Sequence, residues 1–189
     1  MNAVDVAVAE AKELSVILEV VDPKETTALA DEIIAARRIF VGAAGRTLLS
    51  MKMFAMRLMQ IGFECYLVGE VCTPSINQGD LLVVASNSGT TSVTLDVVRK
   101  AESHGARTAV LTTNPGASIP SVCNCVVILP RSFDSPNVDE TALAFSKLHT
   151  PGSIQEAAVT LILDGVIAEL MDKRGITGET LLANHANLE

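Results

Sequence analysis

The sequence predicts an α/β fold, a doubly wound parallel sheet flanked by helices, and three observations carry that expectation. Short apolar runs alternate with stretches of helical periodicity through the middle of the chain. The apolar mass comes from Ala, Val, Leu and Ile, with no Trp and one Tyr, which suits helices packed on both faces of a parallel sheet. Residues 81–98 pass from a buried-strand pattern through a hydroxyl-rich turn into a helix, the local unit from which such sheets are built.

The elements follow in order. Val4, Ala7, Ala11, Leu14, Leu18 and Val21 recur at steps of three and four, giving an N-terminal amphipathic helix that ends at Asp22-Pro23. A second helix carries Leu29, Ile33 and Ile34, so that residues 1–37 form a helical lead-in. Ile39-Phe40-Val41-Gly42 reads as the first strand and Glu64-Cys65-Tyr66-Leu67-Val68 as the second, with a helix from Thr47 to Ile61 between them. The third strand follows Asp80. A helix from Ser92 to His104 then ends at Gly105, a natural C-terminal stop. Arg107 to Leu111 and Cys125 to Leu129 complete five strands. Arg131 to Thr150 is one long connection with weak periodicity, of a length often functional. A long helix from Ser153 to Arg174 opens the C-terminal portion, 153–189.

At 189 residues the chain is most simply one domain with a substantial core. No apolar run is long enough to span a bilayer, and Met1-Asn2-Ala3-Val4-Asp5 lacks the basic start of a secretion signal. Reduced thiols at Cys65, Cys72, Cys123 and Cys125, in apolar surroundings and a cytoplasmic setting, are the expectation. A net charge of −8 argues against nucleic acid or an anionic membrane as partner. Any anion site must therefore be made locally.

The turn Ser86-Asn87-Ser88-Gly89-Thr90-Thr91 is where such a site is expected. The first amides of a helix have no intrahelical acceptor, and the helix dipole adds partial positive charge there. Gly89 allows close approach to the backbone, and Ser86, Ser88, Thr90 and Thr91 offer hydroxyl donors. The natural guest is a phosphate group. No Gly-Lys-Ser/Thr follows, so the turn is not a nucleotide P-loop. The plainer reading is N-capping by Ser88 or Thr90, but a cap needs only one such residue.

Other groups carry two readings each. Arg46 after Gly45 at a strand end either steadies an anionic ligand or joins a surface ion pair. Glu156, in the first turn of the last long helix, is a candidate general base or an ordinary helix-start acid. His185 lies on a tail that frays unless something binds it. His104 suits a helix C-terminus, and His149 reads as a loop residue. Arg57 suits an ion pair or a subunit contact, and Met51, Met53, Met56 and Met59 suit core or interface packing. Cys123-x-Cys125 lacks a second ligand pair, so buried thiols are favoured over a metal site.

Four blocks together resemble the 6-phospho-3-hexuloisomerases of the sugar isomerase (SIS) domain family: Phe54-Ala55-Met56-Arg57-Leu58-Met59; Val68-Gly69-Glu70 with Thr73-Pro74; Ser86-Asn87-Ser88-Gly89; and His185-Ala186-Asn187-Leu188-Glu189. The similarity runs over nearly the whole chain. The Ser-x-Ser-Gly turn marks only the broad family; the Phe-Ala-Met-Arg-Leu-Met block and the tail are more specific. The resemblance implies an SIS fold, usually a homotetramer, and interconversion of D-arabino-hex-3-ulose 6-phosphate and D-fructose 6-phosphate without metal or organic cofactor. It makes Glu156 the base and brings His185 from a neighbouring subunit. Arg46 and Thr47 would position the sugar. Ser86, Asn87, Ser88, Gly89, Thr90 and Thr91 would hold phosphate.

Two departures flank the expected pocket. The family pattern Gly-x-Gly-Arg-Ser-Gly is replaced by Ala43-Ala44-Gly45-Arg46-Thr47-Leu48, and a Phe before the glutamate is replaced by Gln155. They bear on substrate preference more than on fold. They keep two alternatives in view: an isomerase of another phosphosugar, and a non-catalytic phosphosugar-binding module.

Overall fold

Asn2 begins the first helix with a reciprocal cap: the Asp5 amide donates to its side chain, and the Asn2 amide donates to the Asp5 carboxylate, both at 3.0 Å. The computed structural model describes residues 2–131 and 153–188. Its elements are α1 (Ala3–Glu19), α2 (Pro23–Ala35), β1 (Ile39–Ala43), α3 (Thr47–Gln60), β2 (Cys65–Leu67), β3 (Leu81–Ala85), α4 (Ser92–Ser103), β4 (Arg107–Thr112), β5 (Cys125–Ile128), α5 (Ser153–Arg174) and α6 (Gly178–Ala183). Asp22-Pro23 does more than end α1. Asp22 accepts from the Lys24 amide, and Pro23 sits where its missing N–H costs nothing, so the pair also starts α2. The expected connection 131–150, with His149, lies outside the described residues apart from Arg131 itself. The short helix α6 has no counterpart in the sequence reading; six residues are too few to show periodicity.

All five strands are parallel, in the order β2-β1-β3-β4-β5. The pleat divides each central strand between two cores. Ile39, Val41, Leu81, Val83, Leu111 and Val127 face α1, α2, α3 and α5. Phe40, Leu82, Val84 and Val110 face α4 and Ile119. β3 is therefore buried on both sides, as its unbroken Leu-Leu-Val-Val-Ala run requires. Each such aliphatic side chain contributes about 1.5–3 kcal/mol of burial.

The N-terminal end of β3 is anchored electrostatically. The Asp80 side chain is fully buried and accepts from Arg38 Nη2 at 2.7 Å, Arg37 Nε at 3.1 Å and the Asn77 amide at 2.9 Å. Burial raises the Asp80 pKa, but the Arg38 hydrogen bonds, the Asn77 amide and both guanidinium charges outweigh it and hold the carboxyl below its ordinary range.

Several local expectations change. Ile34 is 41 % exposed and does not join the core. The methionines divide: Met51 is fully buried, while Met53, Met56 and Met59 face outward, because steps of two, three and three spread them around α3. Cys72 is exposed, unlike the other cysteines, and burial pushes the Cys65 thiol up to about 12 and Cys123 and Cys125 to about 11. Cys123 precedes β5 and does not lie on it. Arg57 donates to Gln60 Oε1 at 2.8 Å and has no carboxylate partner among the described residues. No helix among those residues is long and apolar enough to cross a membrane, and none of their His, Cys, Asp and Glu side chains cluster as a metal site would require.

Candidate active site

Strand order puts the reversal of winding between β1 and β3, and ligands in open parallel sheets bind beyond the strand C-termini at such a point. The β1–α3 turn (Ala44-Gly45-Arg46) and the β3–α4 turn (Ser86–Thr91) leave the sheet side by side there, since Ala43 pairs with Ala85.

The β3–α4 turn is built by its own hydroxyls. The Gly89 amide donates to the Ser86 carbonyl at 3.0 Å. Ser86 Oγ and Thr91 Oγ1 lie 3.0 Å apart, and Ser88 Oγ accepts from the Thr90 amide and hydroxyl. Thr91, at the N-cap position of α4, makes no side-chain cap. The Thr91, Ser92 and Val93 amides find no acceptor among the described residues. Simple N-capping is thus not how this turn is used, and the helix end keeps its capacity for an anion. The Ser86–Thr91 pair, of which Ser86 is buried, has two hydroxyl hydrogens, and one of them suffices for the mutual bond. The other is left to donate.

Gly89 acts differently from expectation. Its φ is +67°, and an added Cβ would stand 2.6 Å from Ala117 Cβ. It is a close-packing residue against the turn after β4, with its amide engaged by the Ser86 carbonyl. Its carbonyl accepts from the Ile119 amide at 2.9 Å. Asn87 ties the turn to β4 as well, its carbonyl accepting from the Thr113 amide at 3.2 Å and from the Thr113 hydroxyl at 2.9 Å.

Beside this turn lies a small pocket lined by Thr47, Asn87, Thr112, Thr113, Gln155 and Glu156 and by the apolar side chains of Leu111, Leu129 and Val159. Glu156 reaches it from the first turn of α5. Its carbonyl accepts from Ser50 of α3 at 3.2 Å and from Thr160 at 2.9 Å, so the base of the side chain is held by two helices. Its carboxylate Oε2 accepts from Arg46 Nε at 2.8 Å. The Glu156 side chain is 17 % exposed and that of Arg46 68 %. A carboxylate in the wall and a guanidinium at the rim suit proton removal from a bound carbon acid with charge stabilisation alongside.

The structure therefore brings together Arg46, Thr47, Asn87 and Glu156, with Ser86, Ser88, Thr90 and Thr91 in the adjoining turn. It does not bring His185 to them within one chain. That residue is exposed, follows Asn184, whose Nδ2 donates to the Gln60 carbonyl at 2.9 Å, and so leaves from the far end of α3. Thr112 and Thr113, which the sequence already places at a strand C-terminal end where ligands sit, and Gln155, expected beside the pocket, line it as well, though sequence reasoning assigned none of them a named substrate role. Arg131 Nε lies 3.4 Å from Thr113 Oγ1, adding a second guanidinium near the rim.

Residues 32–160 match the SIS domain. A 3-hexulose-6-phosphate isomerase of Bacillus subtilis (strain 168) is 39% identical over 166 residues, 88% of each chain. One of the same name from Methylomonas aminofaciens is 41% identical over 157 residues, 82% of each. A crystal structure of a Methanococcus jannaschii protein, inferred to be a 3-hexulose-6-phosphate isomerase, superposes with a TM-score of 0.80 at 26% identity over the whole of both chains.

Proposed function

We propose that this chain, which belongs to the SIS domain family, is a phosphosugar isomerase that interconverts D-arabino-hex-3-ulose 6-phosphate and D-fructose 6-phosphate. The observation that carries the reading is the Arg46–Glu156 pair at a pocket that Asn87 of the β3–α4 turn also lines, the turn that leads into an uncapped helix N-terminus suited to phosphate. The relatives that cover most of the chain and carry the 3-hexulose-6-phosphate isomerase name favour this substrate.

The reaction moves a carbonyl from C3 to C2. Glu156 takes the C2 proton, the electron pair forms a C2–C3 enediol, and the proton returns to C3. One carboxylate serves both transfers if the two carbons present the same face. Arg46 opposes the negative charge that develops on the enediolate oxygens. Ser88, the Ser86–Thr91 hydroxyl pair and the first amides of α4 hold the phosphate, with Asn87, Thr90 and Gly89 shaping that turn. Thr47 positions the sugar.

A 3-ketose phosphorylated at C6 has no free hydroxyl placed to close a five- or six-membered ring. Ring opening is needed only from the fructose 6-phosphate side. His185 from a neighbouring chain of a homotetramer fits polarisation of the carbonyl or transfer of a hydroxyl proton, with ring opening secondary. The setting is cytoplasmic.

The test is an assay of purified protein against a panel of phosphosugars in deuterated water. The expected result is turnover of fructose 6-phosphate to the 3-ulose with deuterium entering at C2 of the 3-ulose, and at C3 of fructose 6-phosphate re-formed from the enediol. Exchange only with a pentulose 5-phosphate would replace the substrate. Binding without exchange at any carbon would replace the enzyme by a binding module.

A further inference from the structure

The charges that face the pocket cancel. Arg46 Nε and Glu156 Oε2 stand 2.8 Å apart, so the guanidinium at that wall is already matched by a carboxylate. The first amides of α4 supply about half a positive charge. A phosphate monoester carries about −1.5 to −2 charges at neutral pH, and it enters against a chain of net charge −8. The balance calls for a further cation.

Arg131 is placed to supply it. The Leu129 amide donates to the Thr112 carbonyl at 2.8 Å, which carries the β4–β5 ladder up to the pocket and makes buried Leu129 part of its lining. Pro130 follows, and its ring sets the direction in which the chain leaves the sheet. Arg131 comes next and is exposed. Its Nε lies 3.4 Å from Thr113 Oγ1. That hydroxyl donates to the Asn87 carbonyl at 2.9 Å, and Thr113 and Asn87 both line the pocket. Two contacts thus link the guanidinium to the β3–α4 turn. The first is long for an N–H···O bond, so little is lost when the guanidinium turns from Thr113 to an anion. Arg37, Arg38 and Arg107 cannot take this part, since they precede β1 or open β4 at the opposite ends of the strands. Among the described residues, Arg46 and Arg131 are the guanidiniums at the strand C-terminal ends, one after β1 and one after β5.

We propose that Arg131 is a substrate-binding residue, its guanidinium pairing with the phosphate dianion of a phosphosugar held at the β3–α4 turn. A planar fork of donors suits phosphate oxygens. The inference rests on the reading of that turn as the phosphate seat; what it adds is the cation. The phosphate keeps its charge through the reaction, so Arg131 holds substrate and transition state equally. Such uniform binding sets KM and leaves kcat alone.

Steady-state kinetics with fructose 6-phosphate, and calorimetry with fructose 6-phosphate and with inorganic phosphate, test it on the full chain. Arg131→Met should raise KM and both dissociation constants about tenfold, with kcat within about twofold of the parent. Arg131→Lys should recover part of the loss. The gap between the parent and Arg131→Met should narrow as pH falls below about 6, where phosphate loses its second charge. Arg99→Met removes the same charge from the exposed face of α4 and is the control; its constants should match the parent's. An unchanged KM in Arg131→Met, an equal rise in Arg99→Met, or a fall in kcat at constant KM overturns the role. Ser86→Ala with Ser88→Ala separates the proposal from the reading beneath it. Affinity for inorganic phosphate lost there but kept in Arg131→Met leaves the seat standing and removes Arg131 from it. Affinity kept in both variants overturns both. A parent that binds phosphate through Arg131 but turns over no phosphosugar retires the isomerase reading and leaves the binding role standing.

Discussion

Arg46 Nε and Glu156 Oε2 lie 2.8 Å apart, joining the N-cap of α3 to the first turn of α5 across 110 residues of sequence. The guanidinium is two-thirds exposed and the carboxylate mostly buried, so the pair marks the boundary between solvent and pocket. A rim ion pair of this kind contributes about 0–1 kcal/mol to stability. Its value is positional: it holds a base and a charge stabiliser at one spot.

Glu156→Gln keeps the shape and hydrogen-bonding reach of the side chain and removes its capacity to accept a proton from carbon. The isomerisation rate should fall at least about a hundredfold, with a modest change in substrate affinity. Steady-state kinetics with direct binding checks this. Activity within a few-fold of the parent would eliminate Glu156 as the sole base.

Arg46→Lys retains the charge and loses the planar donor that fits Glu156 and the enediolate oxygens. The turnover number should fall about tenfold or more, with the melting temperature changed by less than about 3 °C. A large loss of stability with intact turnover would make Arg46 a structural residue.

Ser86→Ala with Ser88→Ala removes the buried member of the Ser86–Thr91 hydroxyl pair and the hydroxyl that Thr90 donates to. Fructose 6-phosphate binding should weaken by roughly 1–3 kcal/mol, through lost charge-assisted hydrogen bonds. Titration calorimetry reads the difference. Unchanged affinity would move the phosphate away from the N-terminus of α4.

Asp80→Asn tests the distal anchor and its pH dependence. The folded-state pKa of Asp80 is depressed below the unfolded value, so its stabilisation is present above the ordinary carboxylate range, near ~3.9, and is lost as pH falls through the folded value. The variant should melt about 5–10 °C below the parent at neutral pH, since a buried partner of two guanidiniums is gone. The gap should close as the parent is acidified through the folded value. A gap that stays constant to the lowest pH at which the parent folds would mean the Asp80 charge is not what anchors β3.

The sequence alone determined whatever depends on short spacings. Alternation of apolar runs with helical periods set the strand and helix series, and the hydroxyl cluster after Leu81–Ala85 marked a phosphate-capable turn, because periodicity and turn chemistry are properties of a few consecutive residues. The first-turn position of Glu156 and the strand-end position of Arg46 were legible on the same basis. Their contact was not, because it follows from the order β2-β1-β3-β4-β5, and five similar aliphatic strands do not state which neighbours which. Only the tertiary structure could place Gly89 against Ala117, assemble Thr112, Thr113 and Gln155 into the pocket wall, and turn three of four α3 methionines outward. In each case the deciding quantity is a distance between segments far apart in the chain, which packing selects and local pattern does not contain.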